Sequence, residues 1–119
     1  MTLEECYAKL NGDYNEAKTR LMNEKLIERF ILKFPDDPSM DALQEMIAAG
    51  DNAAAFRAVH TLKGVAANLA FTQLFQDASN LTEYMRDLQH DADPNLYASL
   101  KETYDNVIRT LKEYEANKA

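Results

Sequence analysis

The sequence predicts an all-α protein, specifically an antiparallel four-helix bundle with short additional N-terminal helices. Apolar residues recur at steps of three and four along most of the chain, which keeps them on one face of a helix. Only three glycines and three prolines interrupt the 119 residues, so long regular elements are favoured over loops. No stretch alternates convincingly between apolar and polar residues, as a half-buried strand would. Longer helices joined by short turns are typical of an antiparallel bundle.

The first two helices are predicted by a break and a cap. A short leading helix over 2–10 ends before Gly12, because glycine accepts the left-handed conformation that closes a helix. Asp13 caps a longer helix over 14–34, which Pro35 ends. The apolar residues of this longer helix are Leu21, Met22, Leu26, Ile27, Phe30, Ile31 and Phe34.

The two central helices follow similar signals. Asp37 and Pro38 are typical of a helix start, a capping carboxylate followed by proline at the first helical position, and Gly50 ends that helix. Asp51 then caps a helix over 52–69. The predicted inward residues are Met40, Leu43, Met46 and Ile47 in the first of these helices and Phe56, Val59, Leu62, Ala66 and Leu69 in the second.

Two helices complete the predicted bundle. Thr72, after a short turn, is a possible cap for a helix over 73–89. Asp93 and Pro94 repeat the carboxylate-then-proline start and open a helix over 95–116. The predicted inward residues are Leu74, Phe75, Ala78, Leu81, Met85 and Leu88, then Leu96, Leu100, Tyr104, Val107, Ile108 and Leu111.

Composition and charge exclude several classes of function. The formal net charge is −7, and an acidic surface repels phosphate backbones, so we expect no nucleic-acid partner. No apolar run approaches the ~20 residues that span a bilayer, and the acidic start is unlike a signal peptide. The single cysteine, Cys6, fits a reducing compartment. We therefore expect a cytoplasmic protein with no membrane partner, and a single domain over 1–119.

No cofactor or metal site is expected from the residues. His90, with Asp91 and Asp93, lies in a polar connection without matching ligands nearby, so a solvated turn is the better interpretation. The chain has no GxxxxGK[ST] loop to hold a nucleotide, which argues against autonomous kinase activity.

The helix over 52–69 carries the residues that bear on chemistry. Positions three and four apart share a helical face, so His60, Lys63, Gly64 and Ala67 align beside the apolar stripe, with Arg57 one turn earlier. Neutral imidazole is a nucleophile near pH 7, and a nearby ammonium would stabilise an added phosphoryl group. A glycine inside a helix costs about 1 kcal/mol relative to alanine, and one use is to let another protein approach the imidazole.

Each of these residues also has an ordinary interpretation. An isolated helical histidine is usually a surface or partly buried residue, and the lysine three residues on can be a simple solvated charge. Glycine inside a helix can serve only to permit close helix packing. The coincidence of all three on one face is what favours a functional site.

The segment Ala58-Val59-His60-Thr61-Leu62-Lys63-Gly64 and the small residues after it resemble the histidine-containing phosphotransfer (HPt) domain of multistep two-component relays. The resemblance implies a four-helix bundle in which His60 accepts the phosphoryl group, Lys63 faces it and Gly64 lets the partner dock. It also implies that any Mg²⁺ sits in the partner, so no cofactor is expected here.

Two positions depart from the family pattern. Ala70 stands where the family usually has a glycine that closes the histidine helix. Some members carry a glutamine near the histidine on the following helix, and spacing places Thr82 there. The resemblance would then have the Thr82 hydroxyl donate a hydrogen bond to the imidazole or the phosphate.

The resulting hypothesis is a phosphocarrier and not an enzyme. It relays a phosphoryl group between receiver-domain aspartates through His60, with response-regulator receivers or a hybrid sensor kinase as partners. One alternative is a docking module that binds receivers through the same face without phosphorylation. Another is a helical scaffold or oligomerisation domain, but the helices are short and broken by Pro and Gly, so a monomer is expected.

Overall fold

A computed structural model describes residues 1–87 and 90–118. The helices are α1 (Leu3–Lys9), α2 (Tyr14–Leu21), α3 (Glu24–Lys33), α4 (Ser39–Ala48), α5 (Asn52–Asn68), α6 (Thr72–Met85) and α7 (Pro94–Ala116), with a 3-10 turn over Phe34–Asp36 between α3 and α4. The described residues contain no strand, which confirms the predicted all-α class. None of these helices is both long and apolar enough for a transmembrane segment.

The centre of the fold is α5, which packs between α4 and α6, while α6 also packs against α7. Tight turns join α4 to α5 and α5 to α6, so these neighbours run antiparallel. α1 packs on both α7 and α2. The largest fully buried side chains are Tyr7, Phe71, Leu10, Ile27, Ile31, Met40, Leu43, Leu62, Leu74, Leu81, Met85 and Leu100. The predicted helical bundle is therefore confirmed.

The predicted single helix over 14–34 is wrong. The chain turns at Met22, which has a φ of 73° and a side chain that is 82% exposed. Asn23 then caps α3, because its side-chain oxygen accepts the Leu26 N–H at 2.9 Å. Apolar periodicity continues across this break, so periodicity alone could not reveal it.

The N-terminal break is also built differently from the prediction. The left-handed residue is Asn11, with a φ of 59°, and not Gly12. Gly12 is needed for space, since a Cβ there would lie 2.8 Å from the carbonyl oxygen of Ala70. Asp13 donates its N–H to that same oxygen at 2.9 Å, and Gln73 donates to the Asn11 carbonyl at 3.1 Å. The loop after α1 is thereby bonded to the turn between α5 and α6.

Most of the predicted caps are present. Asp51 accepts the Ala54 N–H at 3.1 Å, and Asp93 accepts the Leu96 N–H at 2.9 Å with Pro94 opening α7. Asp37 accepts the Ser39 N–H at 2.9 Å, so α4 begins one residue later than the prediction.

Two predictions about α6 need correction. Thr72 is the first helical residue and not its cap, and Phe71 stands at the cap position without a side-chain hydrogen bond. α6 ends at Met85, short of the predicted 89. The predicted inward residue Leu88 lies outside the described residues.

Candidate functional site

α5 divides sharply into a buried face and an exposed face. Val59, Leu62 and Ala66 are fully buried in the core. His60 and Gly64 are exposed on the other side, with Lys63 and Ala67 half-buried at the edge. The alignment that helical spacing predicted is therefore what the fold presents to solvent.

The His60 imidazole packs against an aromatic ring of its own helix. Its ring centroid lies 5.9 Å from that of Phe56, one turn earlier on α5, at an interplanar angle of 49°. Within the described part of the chain, no hydrogen bond to either ring nitrogen is found. Both nitrogens therefore remain available for proton exchange and for bond formation with an incoming group.

Lys63 reaches from α5 across to α6. Its side chain is 28% exposed, and its Nζ lies 4.0 Å from Oε1 of Glu83 and 5.9 Å from the centroid of the Phe75 ring. The ammonium thus lies over an aromatic face, one helical turn from the imidazole, with the Glu83 carboxylate at the limit of ion-pair distance.

Glu83 and Arg86 were not predicted as site residues, but they complete the charged surroundings. Arg86 binds the Glu83 carboxylate through two hydrogen bonds of 3.0 and 2.8 Å. Its guanidinium also lies 5.5 Å from the centroid of Phe56, the ring that contacts His60. The hydrogen bond from Arg86, followed by the charges of Arg86, Lys63 and His60, lowers the pKa of Glu83 below its ordinary value. The site therefore contains a firmly ionised carboxylate.

Gly64 has open space where a side chain would project. A Cβ built there meets no atom of another part of the described chain within 4 Å. The interpretation that this glycine permits close helix packing is therefore wrong. Arg57, one turn before His60, is exposed, and its carbonyl accepts the Thr61 hydroxyl at 3.0 Å.

Thr82 does not join this group. It is fully buried, and its hydroxyl donates to the Ala78 carbonyl at 2.7 Å. The expectation that this hydroxyl reaches the imidazole or a bound phosphate is therefore corrected. The neighbouring residue Glu83 is the one that faces α5, because the rotation of α6 turns position 82 into the core.

The departure at Ala70 leaves the turn after α5 intact. Ala70 adopts the left-handed conformation, with a φ of 57°, although it carries a Cβ. Its carbonyl accepts the N–H of Asp13 at 2.9 Å, and its N–H donates to Ala67 at 3.1 Å. These bonds hold the alanine where the turn requires it.

An apolar cleft of about 790 Å³ opens one turn beyond Gly64. α5 contributes Val65, Asn68 and its cap residue Leu69 to the wall. The opposite wall and rim are formed by Arg20, Leu21, Phe30, Lys33, Phe34, Asp36 and Asp37. Phe30 is 41% exposed, so the wall of the cleft includes a large apolar side chain that is open to solvent.

The described residues contain no group of three or more His, Cys, Asp and Glu side chains able to hold a metal ion. His90 lies in the chain between α6 and α7. Its ring centroid is 4.3 Å from that of Tyr84, and its Nε2 is 3.4 Å from Oδ1 of Asp87.

The structure is thus a helical bundle that displays a histidine beside a lysine and an unobstructed glycine on one face of α5. The family model of the Hpt domain matches residues 25–110, and the chain belongs to this family. Its members take part in phosphorelays by histidine phosphotransfer and act as phosphocarriers that interact with receiver domains. Neither the curated proteins nor the solved structures compared with the chain give a match.

Proposed function

We propose that this chain accepts a phosphoryl group on His60 from the phospho-aspartate of a receiver domain and passes it to another receiver. The observation that carries the proposal is the exposed imidazole, without a hydrogen-bond partner among the described residues, next to a glycine with empty space at its Cβ position. Family membership supports the class of reaction, and the geometry supports the choice of residue.

The transfer step needs little chemistry from this chain. A ring nitrogen of His60 attacks phosphorus, the P–O bond to the aspartate breaks, and the carboxylate leaves with the bonding electrons. The other ring nitrogen loses or shares its proton with solvent. Lys63, with Arg57 one turn earlier, offsets the charge on the phosphoryl oxygens, so catalysis is mainly positioning and electrostatics.

The docking surface in this proposal is the bare strip at Gly64 and Ala67, extended by the apolar cleft. A receiver must bring its aspartate within bonding distance of His60, which a bulky residue at position 64 would prevent. The cleft offers apolar area beside that point of approach, with Phe30 as its most exposed large side chain. We propose further that the protein acts as a monomer in the cytoplasm, without a nucleotide or metal of its own.

The deciding experiment is transfer from a small panel of phosphorylated receiver domains to the purified protein. The chain has two histidines, so His60→Gln is the test and His90→Gln is its matched control. We expect acid-labile, base-stable label on the wild type and on His90→Gln, and none on His60→Gln. Label on His60→Gln at the wild-type rate would overturn the assignment.

The same panel distinguishes the alternative of docking without phosphorylation. That function would give receiver binding with no label on the wild type, and His60→Gln would bind as tightly as the wild type. The apolar cleft is the observation that favours such binding. Transfer to the wild type would exclude it as the whole function.

A further inference from the structure

The Glu83 carboxylate occupies a place that the phosphotransfer function does not require. It lies on α6, 4.0 Å from the Nζ of Lys63 and hydrogen-bonded to Arg86, and its charge interacts with that of His60. A carboxylate near an acceptor of phosphoryl groups is unfavourable once the phosphoryl group arrives, because that group brings a charge of roughly −1.5 to −2.

We infer that Glu83 is a positioning residue that opposes phosphorylation of His60 by holding the Lys63 ammonium and by repelling the bound phosphoryl group. The inference rests on the proposed function of His60. In this arrangement Glu83 raises the free energy of the phosphorylated state, so the phosphoryl group passes readily to the next aspartate.

Arg86 restricts the orientation of the Glu83 carboxylate. Its two carboxylate oxygens accept hydrogen bonds of 3.0 and 2.8 Å from Arg86, three residues later on the same helix. Arg86 is itself placed against the Phe56 ring at 5.5 Å. A carboxylate held by two bonds in a planar fork turns away from a new negative charge less easily than an unpaired one.

Glu83 and a phosphoryl group on His60 would compete for the Lys63 ammonium. In the unphosphorylated protein the Nζ of Lys63 lies 4.0 Å from Glu83, so its charge is already partly offset. A phosphoryl group on His60 would draw the ammonium towards itself, and the ammonium would then leave Glu83. Removing the carboxylate removes this competition and the direct repulsion together, so both effects favour the phosphorylated state.

The size of the effect follows from exposure. Glu83 is 58% exposed and paired with Arg86, so solvent, salt and the guanidinium together offset much of its charge. We therefore expect Glu83→Gln to raise the ratio of phosphorylated to unphosphorylated protein about two- to five-fold at low salt, not by orders of magnitude.

The test uses potassium phosphoramidate as the phosphoryl donor, at a fixed ratio to ammonium, so no partner protein is needed. A ring nitrogen of His60 attacks phosphorus, the P–N bond of phosphoramidate breaks, and ammonia leaves after taking up a proton. Intact-protein mass gives the phosphorylated fraction, and the value for His60→Gln, measured in parallel, gives the part due to His90 and is subtracted. The variants are Glu83→Gln, Glu83→Asp and, as matched control, Glu102→Gln, an exposed carboxylate on α7.

We expect the phosphorylated fraction to rise in Glu83→Gln, to return towards the wild-type value in Glu83→Asp, and to stay unchanged in Glu102→Gln. The difference between Glu83→Gln and the wild type must shrink in 1 M salt, which a purely structural effect would not do. Equal fractions in the two proteins, or a rise that salt does not change, would overturn the inference alone. A wild-type protein that takes no phosphoryl group on His60 would instead overturn the proposed function, and the inference with it.

Discussion

Gly12 and Gly64 stand in opposite surroundings. A Cβ at Gly12 would lie 2.8 Å from the backbone oxygen of Ala70 and within 2.9 Å of two core side chains, whereas a Cβ at Gly64 would meet nothing within 4 Å. Gly12 lies where two turns are bonded together, and Gly64 lies on the exposed face of α5. The first glycine is required by the fold, and the second is not.

The regions around the two glycines also differ in burial and in polar contacts. Around Gly12, the Tyr7 hydroxyl donates to the Leu69 carbonyl at 2.8 Å inside the core, and Cys6 is fully buried beside it. Around Gly64, the side chains of His60, Lys63 and Ala67 are exposed or half-buried, and the ion pair between Lys63 and Glu83 is long, at 4.0 Å. Changes in the first region should therefore alter stability, and changes in the second should alter transfer.

The largest effect is expected for Gly12→Ala. The added methyl group meets the Ala70 oxygen, which cannot retreat because Asp13 binds it, so the free energy of unfolding should fall by about 2–3 kcal/mol. Urea unfolding followed by circular dichroism measures it. Transfer to His60 should stay at the wild-type rate below the unfolding transition. Unchanged stability would mean that the loop can relax away from α5.

The second largest effect is expected at alkaline pH, which should lower the free energy of unfolding through the Cys6 thiol. Burial, with a smaller contribution from Glu113, raises the pKa of the Cys6 thiol from 9.0 to about 11. The unfolded chain loses this proton first, so the stabilisation is complete below pH 9 and is lost as pH rises from 9 to 11, a change of about 2 kcal/mol. Unfolding free energies at pH 8, 9 and 10 test this.

Cys6→Ala is the control for the alkaline effect. It removes the ionisable group, so its stability should change less between pH 9 and 10 than that of the wild type. Tyrosines contribute mainly above pH 10, where their ordinary value of 10.0 lies. If the free energy of unfolding falls equally with pH in the two proteins, a group other than Cys6 causes the loss of stability.

The third effect concerns transfer and not stability. Gly64→Gln should slow phosphoryl transfer from a receiver at least ten-fold, about 1.4 kcal/mol in activation free energy, because the side chain fills the space beside His60. Phosphorylation by phosphoramidate, a small donor, should be much less affected. Equal slowing with both donors would contradict a steric cause and indicate damage to the imidazole itself.

The smallest effect is expected for Gly64→Ala. Alanine has the higher helix propensity and meets no neighbouring atom, so the free energy of unfolding should rise by about 0.5–1 kcal/mol. Gly12→Ala and Gly64→Ala are the same chemical change, but we expect them to shift the free energy of unfolding in opposite directions. A loss of stability in Gly64→Ala would break the comparison between the two regions.

Local signals in the sequence predicted much of the fold. The caps at Asp51 and Asp93 and the turn at Gly50 were predictable because each depends on residues within one helical turn. The break between α2 and α3 was missed because the apolar pattern runs through Met22 without change. Asn23 was the available signal, since asparagine is a preferred cap.

The candidate site was likewise predicted in part and missed in part. The alignment of His60, Lys63 and Gly64 follows from spacing on one helix, so the sequence contains it. The partners of Lys63 on α6 depend on how that helix is rotated against α5, which spacing does not specify. Glu83 and Arg86 were therefore missed, and Thr82 was placed at the site although it lies in the core.

The bonds between the loop after α1 and the turn after α5 also bear on where this domain can be divided. The family match begins at residue 25, yet Tyr7 and Leu10, before that point, are fully buried, and Asp13 closes the turn at Ala70. We propose that residues 1–119 fold as one unit. A fragment limited to 25–110 would then uncover the core around Phe71, so a transplant of this module into another signalling chain has to include residues 1–24.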